Sequence, residues 1–401
     1  MKKIAIIGAG ILGLATGIEL LKSGLRLKVV ILEKEKDIGL HASGRNSGVL
    51  HAGFYYSPDS LKAKFCKTGN RELRELCKSY NIPINNCGKV VVTKSTSEIV
   101  ELKKLYNRGI ANGVEVELHD ESDLKKYEPL AKTKGSFLWS PTTAVSSPKL
   151  IIEALKAEFL QRGGVFQFNN NIKLIETNNG IYIADEPQSF DYIVNCAGTN
   201  SEKIANQVGL SEKYLTVPFL GAYIATENRN LPIKTLIYPV PHPVNPFLGT
   251  HFTITIDGIT KIGPTAIPVL GREQYTLLDR INFKDAFKIT SGYWKIVKGK
   301  EHNFISIFRD EAPKLNKNNL VKSGLELIRN DDSFQKLNWQ KKPAGIRAQL
   351  VEKSSGKLVQ DFLIEKSKNS CHVLNLVSPG WTSALPFSRW LVSEHILPQI
   401  T

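Results

Sequence analysis

A chain of 401 residues, 42% of them apolar, is longer than a single hydrophobic core sustains, so its length predicts two domains. It contains no run of eighteen or more uncharged apolar residues, which excludes a membrane-spanning helix and marks the first apolar stretch, interrupted by glycines, as a strand and not a leader. The net charge of +15, mostly lysine dispersed as on a solvated surface, admits peripheral association with an anionic membrane but, without an arginine-aromatic pattern, predicts no specific nucleic-acid partner. Five scattered cysteines (Cys66, Cys77, Cys87, Cys196, Cys371), none spaced Cys-x-x-Cys, predict neither metal site nor disulfide framework and fit a reducing, cytoplasmic setting.

Residues 3–34 read as strand, glycine turn, helix and strand, since Ile4–Ile7 and Val29–Leu32 are short buried-type runs. Lys89–Thr93 and Ser136–Trp139 read as strands in a mixed stretch. Ser147-Pro148 opens a helix carrying Leu150, Ile151, Ala154, Leu155 and Phe159, which Gly163-Gly164 closes. Strands follow at Val165–Phe168 and Tyr192–Asn195, and from 215 to 310 β-branched and aromatic residues alternate as in a sheet. Ile346–Leu350, Phe362–Glu365 and Val373–Leu376 return as strands before a helix from Thr382 to Ile396. The predicted fold class is α/β, α+β overall. A dinucleotide-binding domain of residues 1–83, 145–213 and 340–401 is interrupted twice by a mixed β-sheet substrate domain of residues 84–144 and 214–339.

The turn after the first strand reads Gly8-Ala-Gly10-Ile11-Leu12-Gly13, a G-x-G-x-x-G pattern between strand and helix. Gly8 permits the sharp turn, Gly10 lets backbone approach a pyrophosphate, and Gly13 lets the helix pack close to the strand. The helix start at Ile11 and Leu12 presents free N–H groups to the phosphates. Twenty residues after Gly13, Glu33 ends the second strand, where its carboxylate can accept both ribose hydroxyls and would repel a 2′-phosphate; Lys34 follows it. This pattern leaves NAD and FAD open.

The next segment separates them. Gly39-Leu-His41-Ala-Ser43-Gly-Arg45-Asn46-Ser47-Gly48-Val-Leu-His51-Ala-Gly53-Phe-Tyr55-Tyr56 is dense in small and polar residues that can lie beside phosphates and a heteroaromatic ring, an element NAD dehydrogenases do not need there. It resembles the element after the ribose-binding acid in glutathione-reductase-type FAD proteins of the D-amino-acid oxidase superfamily. Asn46 to Tyr56 is similar to the L-2-hydroxyglutarate dehydrogenase/oxidase family. Further matches run in order through Ser60–Cys66, Tyr238–Phe247 with His251, Gly263–Ala266, Pro343–Gln349 and Asp361-Phe362. Asp191 to Ala197-Gly198 resembles the turn with which such flavoproteins close over the cofactor. The chain departs from the family at Leu220-Gly-Ala222-Tyr223, where an arginine and a glutamate are usual, and at Trp381, where small residues are usual. The departure at Leu220 and Ala222 predicts weak discrimination for a distal carboxylate.

The resemblance implies a Rossmann-like FAD-binding domain and oxidation of a small 2-hydroxy acid, best L-2-hydroxyglutarate, by hydride transfer to flavin N5, with a quinone or other acceptor taking the electrons. The reaction needs a base near the hydroxyl, for which His51 and His251 are candidates, and a donor fork for the carboxylate, for which Arg347 in Gly345-Ile-Arg347 is suited. Tyr55, Tyr223 and Thr265 are expected at the substrate, with Lys261 and Arg272 as weaker candidates. Ser378-Pro379-Gly380-Trp381-Thr382-Ser383, at a helix start, is expected to turn N–H groups to the flavin. An amino-acid or amine oxidase using the same flavin remains the alternative, with a flavoprotein acting on RNA behind it.

Overall fold

The computed structural model describes residues 1–170, 172–177, 180–183, 189–242, 247–276, 279–299, 304–329 and 332–401. Its N-terminal strand, Lys2–Ile7, is buried on both faces from Ile4 onward, as a central parallel strand covered by helices must be. Six strands form this sheet in the order Leu363–Lys366, Ser370–Asn375, Tyr192–Asn195, Lys2–Ile7, Leu27–Leu32, Val165–Gln167. All neighbours are parallel except the antiparallel pair Leu363–Lys366 and Ser370–Asn375. The helix Ile11–Leu21 packs so tightly on the helix Pro148–Gln161 that a Cβ on Gly17 would come within 2.6 Å of Phe159. Ser147 caps the latter helix by accepting the Leu150 N–H, with Pro148 in its first turn.

A second, larger sheet carries Lys89–Val92, Ser136–Ser140, Leu236–Pro239, His251–Ile254, Ile259–Gly263 and the long strand Tyr214–Glu227. Lys89–Val92 runs parallel to Leu236–Pro239, while the other pairs are antiparallel. The strand Gln340–Glu352 pairs with Tyr214–Glu227 from Tyr214 opposite Glu352 to Ala225 opposite Gln340, with an irregularity at Gly221–Tyr223. Residues 340–352, assigned above to the dinucleotide domain, therefore belong to the large sheet. Their pairing partner is distant in sequence, and local pattern carries no record of it.

The strand-rich reading of 215–310 is corrected at its end. Residues 283–299 and 304–311 fold as two helices, Phe283–Gly299 and Phe304–Glu311. Ile289, Gly292 and Ile296 recur at helical spacing and are buried, and a Cβ on Gly292 would stand 2.6 Å from Val217 of the long strand. Large apolar residues on the opposite, exposed face hid that period. Among the described residues no helix is long and apolar enough to cross a membrane. The five cysteines are buried and unpaired. Residues 243–246 of the Tyr238–Phe247 motif lie outside the described residues.

Candidate active site

At the end of the first strand the chain turns at Gly8, whose φ is +102° and whose Cβ, if it had one, would stand 2.7 Å from the Cys196 carbonyl oxygen. Gly13 is more constrained, since a Cβ there would meet the Gly8 carbonyl oxygen at 2.0 Å. At Gly10 the nearest obstacle would be Ser43 Oγ at 2.9 Å, and that oxygen accepts the Ile11 N–H at 3.0 Å. The helix Ile11–Leu21 has no side chain of its own capping it and no acid in its first turn, where Leu12 is buried, so its positive end is left for an external anion. Glu33, 7% exposed, ends the second strand: Oε2 accepts the Ala9 N–H at 2.8 Å and Oε1 the Glu35 N–H at 3.0 Å. Each oxygen keeps a lone pair, which suits two vicinal hydroxyls.

The loop after Gly39 is braced internally. Asn46 donates to the Ser43 carbonyl at 2.7 Å and accepts the Gly48 N–H at 2.8 Å, while Arg45 donates to the Leu40 carbonyl at 2.9 Å and lies over the Tyr275 ring at 3.9 Å. Ser47 between them is half-buried. Gly48 has φ +75° and, with a Cβ, would collide with the Ser146 carbonyl oxygen. Across from this loop, Ala197 donates its N–H to Asn195 Oδ1 at 3.1 Å and Gly198 adopts φ +58°. The strand Gln340–Glu352 crosses close enough that a Cβ on Gly345 would sit 3.0 Å from the Arg45 carbonyl oxygen. Ser378 and Pro379 lead into the helix Gly380–Leu391, whose first turn places Trp381 Nε1 and Ser383 Oγ in the interior without hydrogen-bond partners. Buried polar atoms left unpaired cost free energy, so this cradle fits a bound group that completes their bonding.

Beyond the cradle lies a cluster of basic and aromatic side chains. His51 is tethered through its backbone: Thr382 Oγ1 accepts its N–H at 3.1 Å, and Asn70 Nδ2 donates to its carbonyl at 3.2 Å. Its Nδ1 is buried without a partner. Burial, then the charges of Lys89 and His251, hold the His51 imidazole well below its ordinary pKa. His251, on the strand His251–Ile254, stacks on Tyr238 with centroids 3.7 Å apart. Its Nδ1 lies 2.8 Å from the Gly249 carbonyl oxygen; a carbonyl only accepts, so Nδ1 carries the hydrogen and Nε2 a lone pair. Burial, with the Arg347 and Lys89 charges, pushes His251 down to about 3. Both imidazoles are therefore neutral proton acceptors at physiological pH.

Arg347 stands opposite Phe219 in the strand register and makes no hydrogen bond or ion pair with any described residue; its guanidinium lies 5.4 Å from the Phe247 ring centroid. Glu311, the carboxylate whose charge it feels, is engaged by Lys314 and by the Ala266 N–H. His51, Tyr55, Tyr223 and Arg347 are enclosed deeply enough for burial to dominate their titration, yet each keeps part of its surface accessible, as the walls of an interior cleft do.

Several expected residues have other partners. Lys34 points outward and pairs with Glu273 at 2.6 Å and Glu35 at 3.0 Å. Thr265 is committed to backbone, donating to Leu220 O at 2.9 Å and accepting the Ala222 N–H at 3.0 Å, which braces the irregularity in the long strand. Arg272 is locked to Glu202 at 2.6 Å, and Lys261 sits on a strand among the charges of Lys342 and Asp257. Asp361 caps the helix Leu61–Ser79 by accepting the Leu61 and Lys62 N–H groups. Sequence reasoning missed Asn70, which holds His51, and Lys89, which sits fully buried beside it.

A parallel sheet ending on a glycine turn, an acid at the next strand and a braced polar loop define an FAD-dependent oxidoreductase, and the family model described as DAO, FAD dependent oxidoreductase, matches residues 3–394. The chain belongs to this family and, within it, groups with the L-2-hydroxyglutarate dehydrogenases. It is 34% identical to the L-2-hydroxyglutarate dehydrogenase of Escherichia coli K12, covering 98% of this chain and 93% of that one. It is likewise 34% identical to the mitochondrial L-2-hydroxyglutarate dehydrogenase of Caenorhabditis elegans, with the same shares covered. In fold it is similar to L-alpha-glycerophosphate oxidase from Mycoplasma pneumoniae (TM-score 0.71, 21% identity, 98% and 94% covered) and to glycine oxidase from Geobacillus kaustophilus (TM-score 0.71, 17% identity, 99% and 95% covered).

Proposed function

We propose that the protein oxidises L-2-hydroxyglutarate to 2-oxoglutarate. The observation that supports this reading is the nearness of two neutral imidazoles to each other, and of His251 to Arg347, a guanidinium that makes no hydrogen bond or ion pair with any described residue. Bound FAD supplies the acceptor for the hydride leaving the carbinol carbon. In this reading Gly8, Gly10, Gly13, Glu33, the loop Ser43–Gly48, Ala197, Gly198, Gly345 and the turn Ser378–Ser383 hold the cofactor. The Arg347 fork takes the C1 carboxylate in two parallel charge-assisted bonds, and Tyr55 and Tyr223 flank the chain of the substrate. The hydroxyl proton goes to Nε2 of His251 or to Nδ1 of His51. Anaerobic bleaching of the flavin is the test. L-2-hydroxyglutarate should reduce it faster than lactate, malate or glutamate; reduction by the amino acid alone would overturn the reading in favour of an amino-acid oxidase.

For the electrons we propose a quinone or comparable acceptor reached at an anionic bilayer. The helices Phe283–Gly299 and Phe304–Glu311 turn Phe283 (89% exposed), Phe287 (81%), Trp294, Ile305 and Phe308 outward. Phe283, Phe287 and Trp294 share one helical face, flanked by exposed Lys284, Lys288 and Lys298, the last lying 4.8 Å from the Trp294 ring centroid. Aromatic residues bordered by lysines suit the interface of an anionic membrane. Co-sedimentation with phosphatidylserine vesicles at low salt, and its loss in Phe287→Glu, supports this; equal recovery with neutral vesicles and in the variant would refute it.

A further inference from the structure

Lys89 heads the strand Lys89–Val92 and is 0% exposed. Its Nζ has no hydrogen-bond partner and no ion pair among the described residues. It is ringed by the faces of Tyr238, Tyr55 and Phe54, with centroids at 4.2, 5.0 and 5.3 Å. Ring faces attract a cation but leave the three N–H donors of an ammonium unused. A buried charge without a partner is strongly unfavourable, and a carboxylate of the protein would have cured it. None is there among the described residues: the titratable groups that act on Lys89 are the Cys66 and Cys87 thiols, which burial keeps protonated and uncharged, and Lys89 acts in turn on His51 and His251.

One further donor is unmatched. The Tyr55 hydroxyl is buried and has no hydrogen-bond partner among the described residues. Arg347, the other unpaired cation, acts on His251 as Lys89 does, so that imidazole lies within reach of both charges. Two cations, neither in an ion pair among the described residues, and an unused hydroxyl donor form a site complementary to a dianion.

We propose that Lys89 receives the distal carboxylate of the substrate, with the Tyr55 hydroxyl as second donor, and so makes the site selective for dicarboxylates. This rests on the 2-hydroxy acid reading of the same cleft, in which Arg347 holds the C1 carboxylate. The four-carbon stem lets the ammonium leave the Tyr238 face and meet a ligand past Tyr55, whose ring is partly accessible from the cleft. Such selectivity runs against the expectation of weak discrimination drawn from Leu220 and Ala222. Leu220 packs in an apolar cluster with Ile267, Val269, Ala344 and Ile346.

The test uses the FAD-loaded protein and two unreactive ligands that differ only in the distal group, glutarate and pentanoate, titrated by the perturbation of flavin absorbance and by calorimetry. Wild type should bind glutarate at least ~30-fold more tightly, as one or two charge-assisted hydrogen bonds provide. Lys89→Met should bring the ratio to within about threefold while leaving pentanoate affinity unchanged. It should also raise the thermal midpoint of the ligand-free protein, since an unpaired buried charge is replaced by an apolar chain of similar shape. An unchanged ratio, or equal weakening of both ligands, would overturn the inference. Should Lys89→Met lose FAD, Tyr55→Phe carries the test: a roughly fivefold fall in the ratio supports the inference and no fall overturns it. Failure of the activity reading is separate, because it appears as wild type that is not reduced by 2-hydroxyglutarate, whereas these titrations need no turnover.

Discussion

Replacing Glu33 with Gln probes the cofactor cradle at its most constrained carboxylate. Its two oxygens already accept the Ala9 and Glu35 N–H groups at 2.8 and 3.0 Å, in a site only 7% exposed. An amide keeps one acceptor and turns an NH₂ toward the other N–H, so one charge-assisted bond is lost and one buried donor is orphaned. Each change is worth roughly 1–3 kcal/mol, so the apoprotein should lose about 2–6 kcal/mol and unfold at lower temperature. In the FAD complex the same NH₂ also withdraws an acceptor from one ribose hydroxyl. That further 1.5–3 kcal/mol should raise the FAD dissociation constant roughly 10- to 150-fold. Apoprotein titrated with FAD, followed by flavin fluorescence quenching, measures the constant, and thermal unfolding of the apoprotein measures the separate structural share. A variant that binds FAD within threefold of wild type would refute the placement of the ribose at Glu33, whatever happens to the melting temperature.

Four other outcomes are expected. Replacing the true base, His251→Asn or His51→Asn, should slow anaerobic flavin reduction by L-2-hydroxyglutarate ~10²- to 10⁴-fold with little change in substrate affinity, and unchanged rates in both variants would remove histidine from the proton step. Arg347→Lys should instead raise the apparent substrate dissociation constant, because a point charge cannot reproduce the two-pronged contact, and stopped-flow reduction separates the two effects. The depressed imidazoles should leave no acid limb near the ordinary value of 6.5 in the pH profile of kcat/KM; their share of stability, whole above that value, should begin to fall as the pH drops below it and be gone for His251 near about 3. Lys89, held at about 7 by burial and faced by Phe54, Tyr55, Tyr238, Cys66, Cys87, His51 and His251, should lose its charge as the pH rises past that value, so glutarate affinity should decline on the alkaline side and pentanoate affinity should not.

The sequence was most legible where function constrains the backbone. Gly8 and Gly13 are demanded by carbonyl oxygens 2.0–2.7 Å from where a Cβ would stand, and no other residue type satisfies that, so their spacing identifies the cofactor turn without any knowledge of the rest. The base and carboxylate candidates His51, His251 and Arg347 were legible through motif context, and the fold gathers them from a segment near residue 50, a strand of the large sheet and its C-terminal partner. Lys89 was not legible. Its strand reads as an ordinary apolar run, and the facts that make it unusual, three ring faces and no anion, come from segments near residues 54 and 238. Lys34 failed in the opposite sense: proximity to Glu33 suggested the ribose, while Glu273, some 240 positions away, took its ammonium. The helices at 283–299 and 304–311 were hidden because their apolar residues occupy both faces, one packed on the sheet and one turned outward.

The charges of the cleft also bear on how binding and chemistry are connected. Lys89 and Arg347 are among the causes that hold the imidazoles far below their ordinary basicity, and neither cation has an ion-pair partner among the described residues. A dianionic substrate offsets both. When its carboxylates sit on the two cations, the penalty against an imidazolium shrinks, so whichever histidine takes the hydroxyl proton becomes a stronger base at the moment the substrate is in place. A monocarboxylate would cancel the field of Arg347 alone and leave that of Lys89 acting on His51 and His251. Discrimination against it should then appear in the rate of flavin reduction as well as in affinity, because the missing carboxylate is also missing from the environment in which the proton moves. The same arrangement explains why Lys89 has no ion-pair partner among the described residues: a glutamate beside Lys89 would stabilise the empty protein and hold the imidazoles closer to their ordinary basicity, but it would occupy the position the substrate must fill and remove the link between the arrival of the dianion and the strength of the base.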